Sequence, residues 1–454
     1  MRALSVIGET VRVLHRSRSF RDSAGNAFGS VAEYIAQPVS MLLAAPLLVH
    51  KLGLQQYGVW MIVSAILGSV GILSTGFGDA TVKYLSTYRG QKNPAGVQRT
   101  IQATLSINLT LGAVFGALVW LNAPFIVEQV FKVNPALRHA SIEAIRISAV
   151  VLLLRSIESV FVSVLRAFER YGPAVKLNVF LRCIVVVSAV VIAETGHGVE
   201  AIMASTLLWS ALVVVLQALA ARNVVGTLNP FPTFSRPAIA EVFSFGCFSW
   251  FQALAGVAFI YADRFLVAAM LGTVPVAIYV LCIQVAQPIH GLASAAFNFL
   301  FPHLSSRYGA GETGGPRRVY RLALLANSSV AVMLGLPLIV LGKPVLALWM
   351  GNAFATQGYI ALALLAVANV ILAVNVVPHY TLLAMGKVRF VSLVNVSGGL
   401  SSLTMAALLV PSFGLLGAAA ARLLYGPVIS LNLLQVAKLF ANETVSPNYR
   451  VAES

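Results

Sequence analysis

FSFGCFSWFQALAGVAFIYADRFLVAAMLGTVPVAIYVLCIQVAQP, residues 243–288, is the stretch that decides the fold of this chain. It is long and apolar enough to cross a bilayer twice, yet Asp263 and Arg264 stand side by side inside it. A charge at such depth costs about 2.5–3.5 kcal/mol even on lenient insertion scales, so it faces a cavity or a partner. The pattern also repeats the start of the chain. Residues 26–62 read as an apolar helix ending in LGLQQYGVW, where the later stretch ends in LGTVPVAIYV. The second half of the sequence therefore begins again near Phe243.

Composition agrees with this membrane reading. Of 454 residues, 58% are hydrophobic and only 10% charged, with a mean hydropathy of +0.85, which excludes an ordinary soluble domain. Residues 1–25 carry Arg2, Arg12, Arg16, Arg18 and Arg21 without an apolar core of signal-peptide type. They read as a cytosolic basic arm, or alternatively as an interfacial amphipathic helix. Cys183, Cys247 and Cys282 fall in apolar segments without metal or disulfide spacing and read as small core residues.

Hydropathy windows predict an all-α polytopic protein with about twelve spans. They lie near 27–50, 57–82, 100–123, 140–164, 174–193 and 200–222, then 243–270, 276–302, 319–342, 358–382, 389–410 and 415–438. With the N-terminus inside, 22 Lys and Arg fall in cytosolic segments and only Lys51, Lys132, Arg138 and Lys343 in outer loops. That asymmetry puts both termini in the cytosol. The net charge of +16 is then mostly topology rather than a nucleic-acid footprint.

The repeat extends further. LRAFERYGPAVKLNV (165–179) resembles LLAMGKVRFVSLVNV (382–396), and Gly198-Val-Glu-Ala201 has its counterpart in Gly414-Leu-Leu-Gly-Ala418. The expected layout is an N-terminal six-helix lobe (26–222), a Pro-rich cytosolic linker (223–238), a C-terminal six-helix lobe (239–440) and a cytosolic tail (441–454). Two halves of the same orientation imply a pseudo-two-fold axis along the membrane normal and a central path between them.

Helical spacing then selects candidate residues. Ser30, Glu33 and Gln37 share one stripe of the first helix; Ser249, Gln252 and, further on, Asp263 share one of the seventh. Gln284, Gln287, Gly291, Ser294 and Asn298 form a polar face on the eighth. These stripes read as cavity lining, although polar side chains also glue helices together. Glu33 and Asp263 are the acids that could carry a coupling proton or sodium ion. Arg146, Arg155, Arg182 and Arg422 also lie inside spans. Arg155, Glu158 and Arg182 read either as a structural knot or as a site leaving one guanidinium free for a phosphate. Arg146 has Glu143 within a turn. Arg422 has no acid within a turn, so its partner must come from another helix or a ligand. In the second helix Ser64, Gly68, Gly71, Thr75 and Gly78 make a small-residue stripe for close helix approach.

The runs LGLQQYGVWMIVSAILGSVGILSTGFGDATVKYLS, YADRFLVAAMLGTVPVAIYV, LLAMGKVRF and SFGLLGAAAA together resemble the polysaccharide-transporter branch of the multidrug/oligosaccharidyl-lipid/polysaccharide superfamily, which includes the Wzx-type O-antigen flippases. The resemblance covers about residues 26–440. It implies two six-helix lobes around a cationic cavity in the bacterial inner membrane. It also implies movement of undecaprenyl-diphosphate-linked glycans from inner to outer leaflet, with no cofactor. Arg264 in YADRF is the best-matched charge; with Arg422, Arg182 and Arg155 it is the expected diphosphate-binding set. The expected partners are the lipid-linked glycan, the membrane and other polysaccharide-assembly membrane proteins, with the chain a monomer and no nucleic acid bound.

Two other functions compete. A multidrug and toxin extrusion-type cation antiporter shares the fold, but buried arginines outnumber buried acids here and favour an anionic cargo. A membrane glycan polymerase or glycosyltransferase would need a sizeable outer loop with catalytic groups; the largest, near 124–139, carries Glu128 as its only acid. No Walker-type loop or metal-ligand cluster stands out, so the chain is not expected to be an enzyme.

Overall fold

The computed structural model describes residues 18–168, 170–226, 231–233, 235–297, 300, 301, 304, 307 and 315–443. Side chains are described outside 18–38, 70–76, 79, 171–175, 244–260, 315–316 and 442–443. The described chain is helical, with no strand among these residues.

The first helices are α1 (Arg18–Gly90), α2 (Pro94–Leu121), α3 (Arg138–Ala167), α4 (Tyr171–Glu194), α5 (Val199–Val225) and α6 (Arg236–Leu271). They are followed by α7 (Thr273–Phe297), α8 (Gly315–Val340), α9 (Gly342–Met350), α10 (Asn352–Val374), α11 (Val376–Ala384), α12 (Val388–Ile429) and α13 (Leu431–Glu443). Among the described residues eight stretches are long and apolar enough to span a bilayer. Large apolar side chains such as Leu43, Leu121, Val191, Leu325 and Leu408 stand exposed, as a lipid-facing surface requires. The chain is a multi-pass membrane protein.

Local chemistry sets the helix boundaries. Asn93 caps α2, its Oδ1 accepting the Gly96 N–H at 2.9 Å, and Pro94 follows where no N–H is needed. Two glycines from the repeated blocks make equivalent turns. Gly53 interrupts α1 at φ 75°, and Gly272 joins α6 to α7 at φ 89°. Both occupy the left-handed region, which glycine enters without a Cβ penalty. Gly414 interrupts α12 in the same way.

The chain divides into two compact units. The first comprises Met1–Lys51, Ile66–Pro124 and His139–Leu254; the second comprises Leu52–Ala65, Phe125–Arg138 and Ala255–Ser454. In the first, Leu85, Val97, Ile101, Leu105, Val160, Phe161 and Val164 form an apolar cluster. Helices α2 and α3 approach closely because Gly112 and Gly116 face Ser156 and the Ala149 carbonyl, leaving no room for a Cβ. Lys51 pairs with Glu194 at 2.7 Å, so the first span ends on the same side as α4. On the opposite side Arg89 donates to the Ala167 carbonyl at 3.1 Å.

In the second unit, α7, α8, α10 and α11 bury Ile289, Ala293, Ala331, Ala366, Ala373 and Val376 together. A second cluster gathers Tyr320, Val377, Leu382, Val391, Val436 and Phe440. Gly58 sits against the Thr273 carbonyl, so the short 52–65 segment packs at backbone contact distance on the start of α7. Helix α7 carries Pro288 in its interior, and α10 breaks from α11 at Asn375, three residues before Pro378.

Candidate functional site

Three helices of the second unit bring polar groups to one depth. Asp263 lies nine residues before the Gly272 turn, Tyr279 seven after it, and Arg422 eight after the Gly414 turn. At about 1.5 Å per residue each sits roughly 10–14 Å along its helix from the turn. They meet on one carboxylate oxygen. Asp263 Oδ2 accepts from Arg422 Nε at 2.8 Å and lies 2.7 Å from its Nη2, while the Tyr279 hydroxyl donates to it at 2.8 Å. Oδ1 accepts the Arg264 backbone N–H, also at 2.8 Å. Tyr279 is fully buried and Asp263 only 8% exposed, so this ion pair is screened little by water.

Arg264 is left differently. Its guanidinium lies over the Tyr261 ring at 5.1 Å, and its Nε is buried without a hydrogen-bond partner. Among the described residues no carboxylate pairs with it. The adjacent acid on its own helix is committed to Arg422 instead.

The first unit holds a second cluster. Buried Glu158 on α3 accepts from Gln217 Nε2 of α5 at 3.2 Å, and the same nitrogen reaches Asn178 Oδ1 of α4 at 3.1 Å. Arg155 and Arg182 both act electrostatically on Glu158. The cluster therefore ties α3, α4 and α5 together. Arg146 donates to Glu143 at 2.8 Å and lies over the Trp120 ring, as its sequence spacing suggests.

The structure thus unites Asp263 with Arg422 and places Arg264 beside them; Arg155 and Arg182 belong to the other unit. Gln284 is turned toward the Met61 sulfur at 3.8 Å, and Gln287 is exposed. The side chains of Ser30, Glu33, Gln37, Ser249 and Gln252 lie outside the described set, and Asn298 lies outside the described residues. Sequence reasoning passed over Tyr279, Gln217 and Asn178, which complete the two clusters. It also passed over His290 and His379, partly buried neighbours in the second unit. For the histidines the available signal was their ionisable character within an apolar span.

Comparison with known proteins places these features in a family. The model of a family described as "Polysaccharide biosynthesis protein" matches residues 48–357. A Shigella flexneri protein named "Putative O-antigen transporter" is 24% identical over 410 residues, covering 88% of this chain and 93% of that one. Among solved structures, an inward-facing multidrug resistance MATE family transporter of the MOP superfamily superposes with TM-score 0.74 at 16% identity. That match spans 92% of this chain and 99% of the other. The lipid II flippase MurJ, in an inward closed conformation, gives TM-score 0.69 at 11% identity over 90% of this chain and 87% of its own. At these identities the structural matches speak for the fold.

Proposed function

Since the chain belongs to the polysaccharide biosynthesis protein family, we propose that it is a transporter, not an enzyme, that flips a lipid-linked oligosaccharide. The substrate in this reading is an undecaprenyl-diphosphate-linked glycan carried from the inner to the outer leaflet of a bacterial inner membrane. The likeness to an O-antigen transporter supports a glycan cargo, and the fold shared with a lipid II flippase supports the step. Two six-helix lobes alternate in access, coupled to an ion or to the membrane potential, with both termini cytosolic. Orientation is checked by thiol labelling. His197→Cys reacts from outside intact cells, whereas Gly90→Cys reacts only after the inner face is opened.

The observation that carries the reading is Arg264, a partly buried guanidinium with no carboxylate partner among the described residues. A diphosphate offers the oxygens that such a planar fork binds best. At an effective dielectric near 20, one guanidinium about 4 Å from one phosphate charge is worth roughly 4 kcal/mol before desolvation. Arg422 joins only by exchanging its carboxylate for a phosphate. Asp263 is already held by several donors, which leaves Glu33 the better of the two candidate coupling acids. An excess of intramembrane arginine also argues against a cationic drug as cargo.

The experiment is glycan export in a flippase-deficient strain at matched membrane levels of protein. Arg264→Ala abolishes most export and Arg264→Lys restores part of it, because charge is kept while the fork is lost. Normal export from Arg264→Ala would overturn this site.

A further inference from the structure

Two helical runs of the second unit are each interrupted by a single polar residue, and the two residues touch. Asn375 stands between α10 and α11, and Ser430 between α12 and α13. Their backbones sit at ψ −5° and −10°, away from the helical value of about −42°. Asn375 Nδ2 donates to the Ser430 hydroxyl oxygen at 3.3 Å and to the Ile371 carbonyl at 2.9 Å. Pro378, three residues on, offers no N–H to the Val374 carbonyl. From α8, Asn327 Nδ2 donates at 2.6 Å to the Ala373 carbonyl, two residues before the same interruption.

Asn432 completes the group. It lies two residues past Ser430 and one turn before Val436 on the same face of α13. Val436 packs in one cluster with Val377, two residues past Asn375, so that face of α13 looks onto the start of α11.

All three amides lie inside the protein. Asn327 and Asn432 are fully buried and Asn375 is 1% exposed, yet the Oδ1 of each accepts no hydrogen bond. A buried acceptor left without a donor costs about 1–3 kcal/mol. The side-chain nitrogens of Asn327 and Asn375 are already spent on carbonyls and on Ser430, so the surplus is one of oxygens. One water gives two protons to three such oxygens, whereas a cation draws on all three and on the Ser430 hydroxyl oxygen as well. Every one of these groups is uncharged. A divalent ion would keep most of its charge uncompensated among them, which leaves a monovalent ion that suits hard oxygen ligands. Interrupted membrane helices are a recurrent place for sodium to bind.

We propose that Asn327, Asn375, Ser430 and Asn432 form a sodium-binding site, built from uncharged oxygens and separate from Glu33 and Asp263. The ion holds the two interruptions together. The site stands whether or not the chain flips a glycan.

The test uses the purified full chain in nanodiscs of phosphatidylethanolamine and phosphatidylglycerol. Its thermal midpoint is measured in sodium chloride and in choline chloride at equal ionic strength. Sodium raises the midpoint by about 2 °C or more, and the rise saturates with concentration. Asn432→Leu abolishes the rise, with Asn432→Ala in its place should the leucine variant fail to reach the membrane. Asn432→Asp adds a formal negative charge, so the rise saturates at a lower sodium concentration than in the wild type. An amide that only cross-links helices gives no such gain. Glu33→Gln keeps the sodium response. A wild-type midpoint indifferent to the choice of cation would overturn the proposal and leave the amides bridged by water. A rise that survives Asn432→Ala would overturn it too, and loss of that rise in Glu33→Gln would move the ion to the first helix.

Discussion

The two polar clusters have the same formal composition and different wiring. Each contains two arginines and one acid: Arg155, Arg182 and Glu158 in one unit, Arg264, Arg422 and Asp263 in the other. In the first, the Gln217 amide, itself tied to Asn178, donates to the acid and both arginines act on it, so the cluster's positive charge is spread over a cross-link. In the second, the acid is consumed by one arginine and one tyrosine, and the surplus charge is localised on Arg264. Equal charge counts therefore predict unequal roles. The wiring decides which guanidinium can accept an anion.

The comparison is broken most directly by transport. Arg264→Ala is expected to cut glycan export by tenfold or more and Arg155→Ala by only a few-fold; equal losses would erase the distinction. Next comes the ion pair. Asp263→Asn leaves Arg422 buried without its counter-charge and costs about 3 kcal/mol, read as a fall in the thermal midpoint in detergent. Replacing Asp263 and Arg422 together by leucine recovers most of that loss, because no charge is then stranded. A smaller effect belongs to the first unit. Gln217→Leu removes the hydrogen bonds to buried Glu158 and to Asn178 and costs about 2 kcal/mol in the same assay, with export per folded molecule little changed.

The smallest effect lies in the first unit, where the end of α1 meets the start of α6. The Tyr88 hydroxyl donates to Glu241 at 2.6 Å, and that bond raises the phenol above its ordinary value of 10.0. A raised phenol contributes stability that is fully present below the ordinary value and is lost as pH rises through the raised one. Tyr88→Phe therefore lowers the thermal midpoint slightly at pH 8, and the difference disappears at strongly alkaline pH. A deficit that persists there would assign the effect to packing.

Much of the fold was legible because it rests on local rules. Hydropathy marked the spans, and the repeated Leu-Gly pairs at 52–53 and 271–272 marked turns that both proved left-handed at glycine. Glu143 and Arg146 were readable as partners because three residues on a helix are neighbours in space. Arg422 could be read only as needing a distant partner. Its bond to Asp263 spans 159 positions, and no periodicity relates them. What did relate them was depth, each a similar distance from a glycine turn, a signal that becomes usable once the turns are known. Tyr279 and the two histidines escaped because aromatic rings in apolar helices are usually core.

The glycine joints have a consequence at the cell surface. A single residue, Gly272, connects α6 to α7, Gly351 alone connects α9 to α10, and Gly53 and Gly414 turn the chain without any loop. In the proposed orientation all four face outward. At these four joints an antibody, phage or extracellular protease would meet almost no protruding chain. An epitope tag inserted at any of these joints would have to prise a helical hairpin apart, whereas substituting an exposed residue such as His197 leaves the hairpin whole. Detection at these joints thus depends on small thiol-reactive probes rather than on affinity reagents.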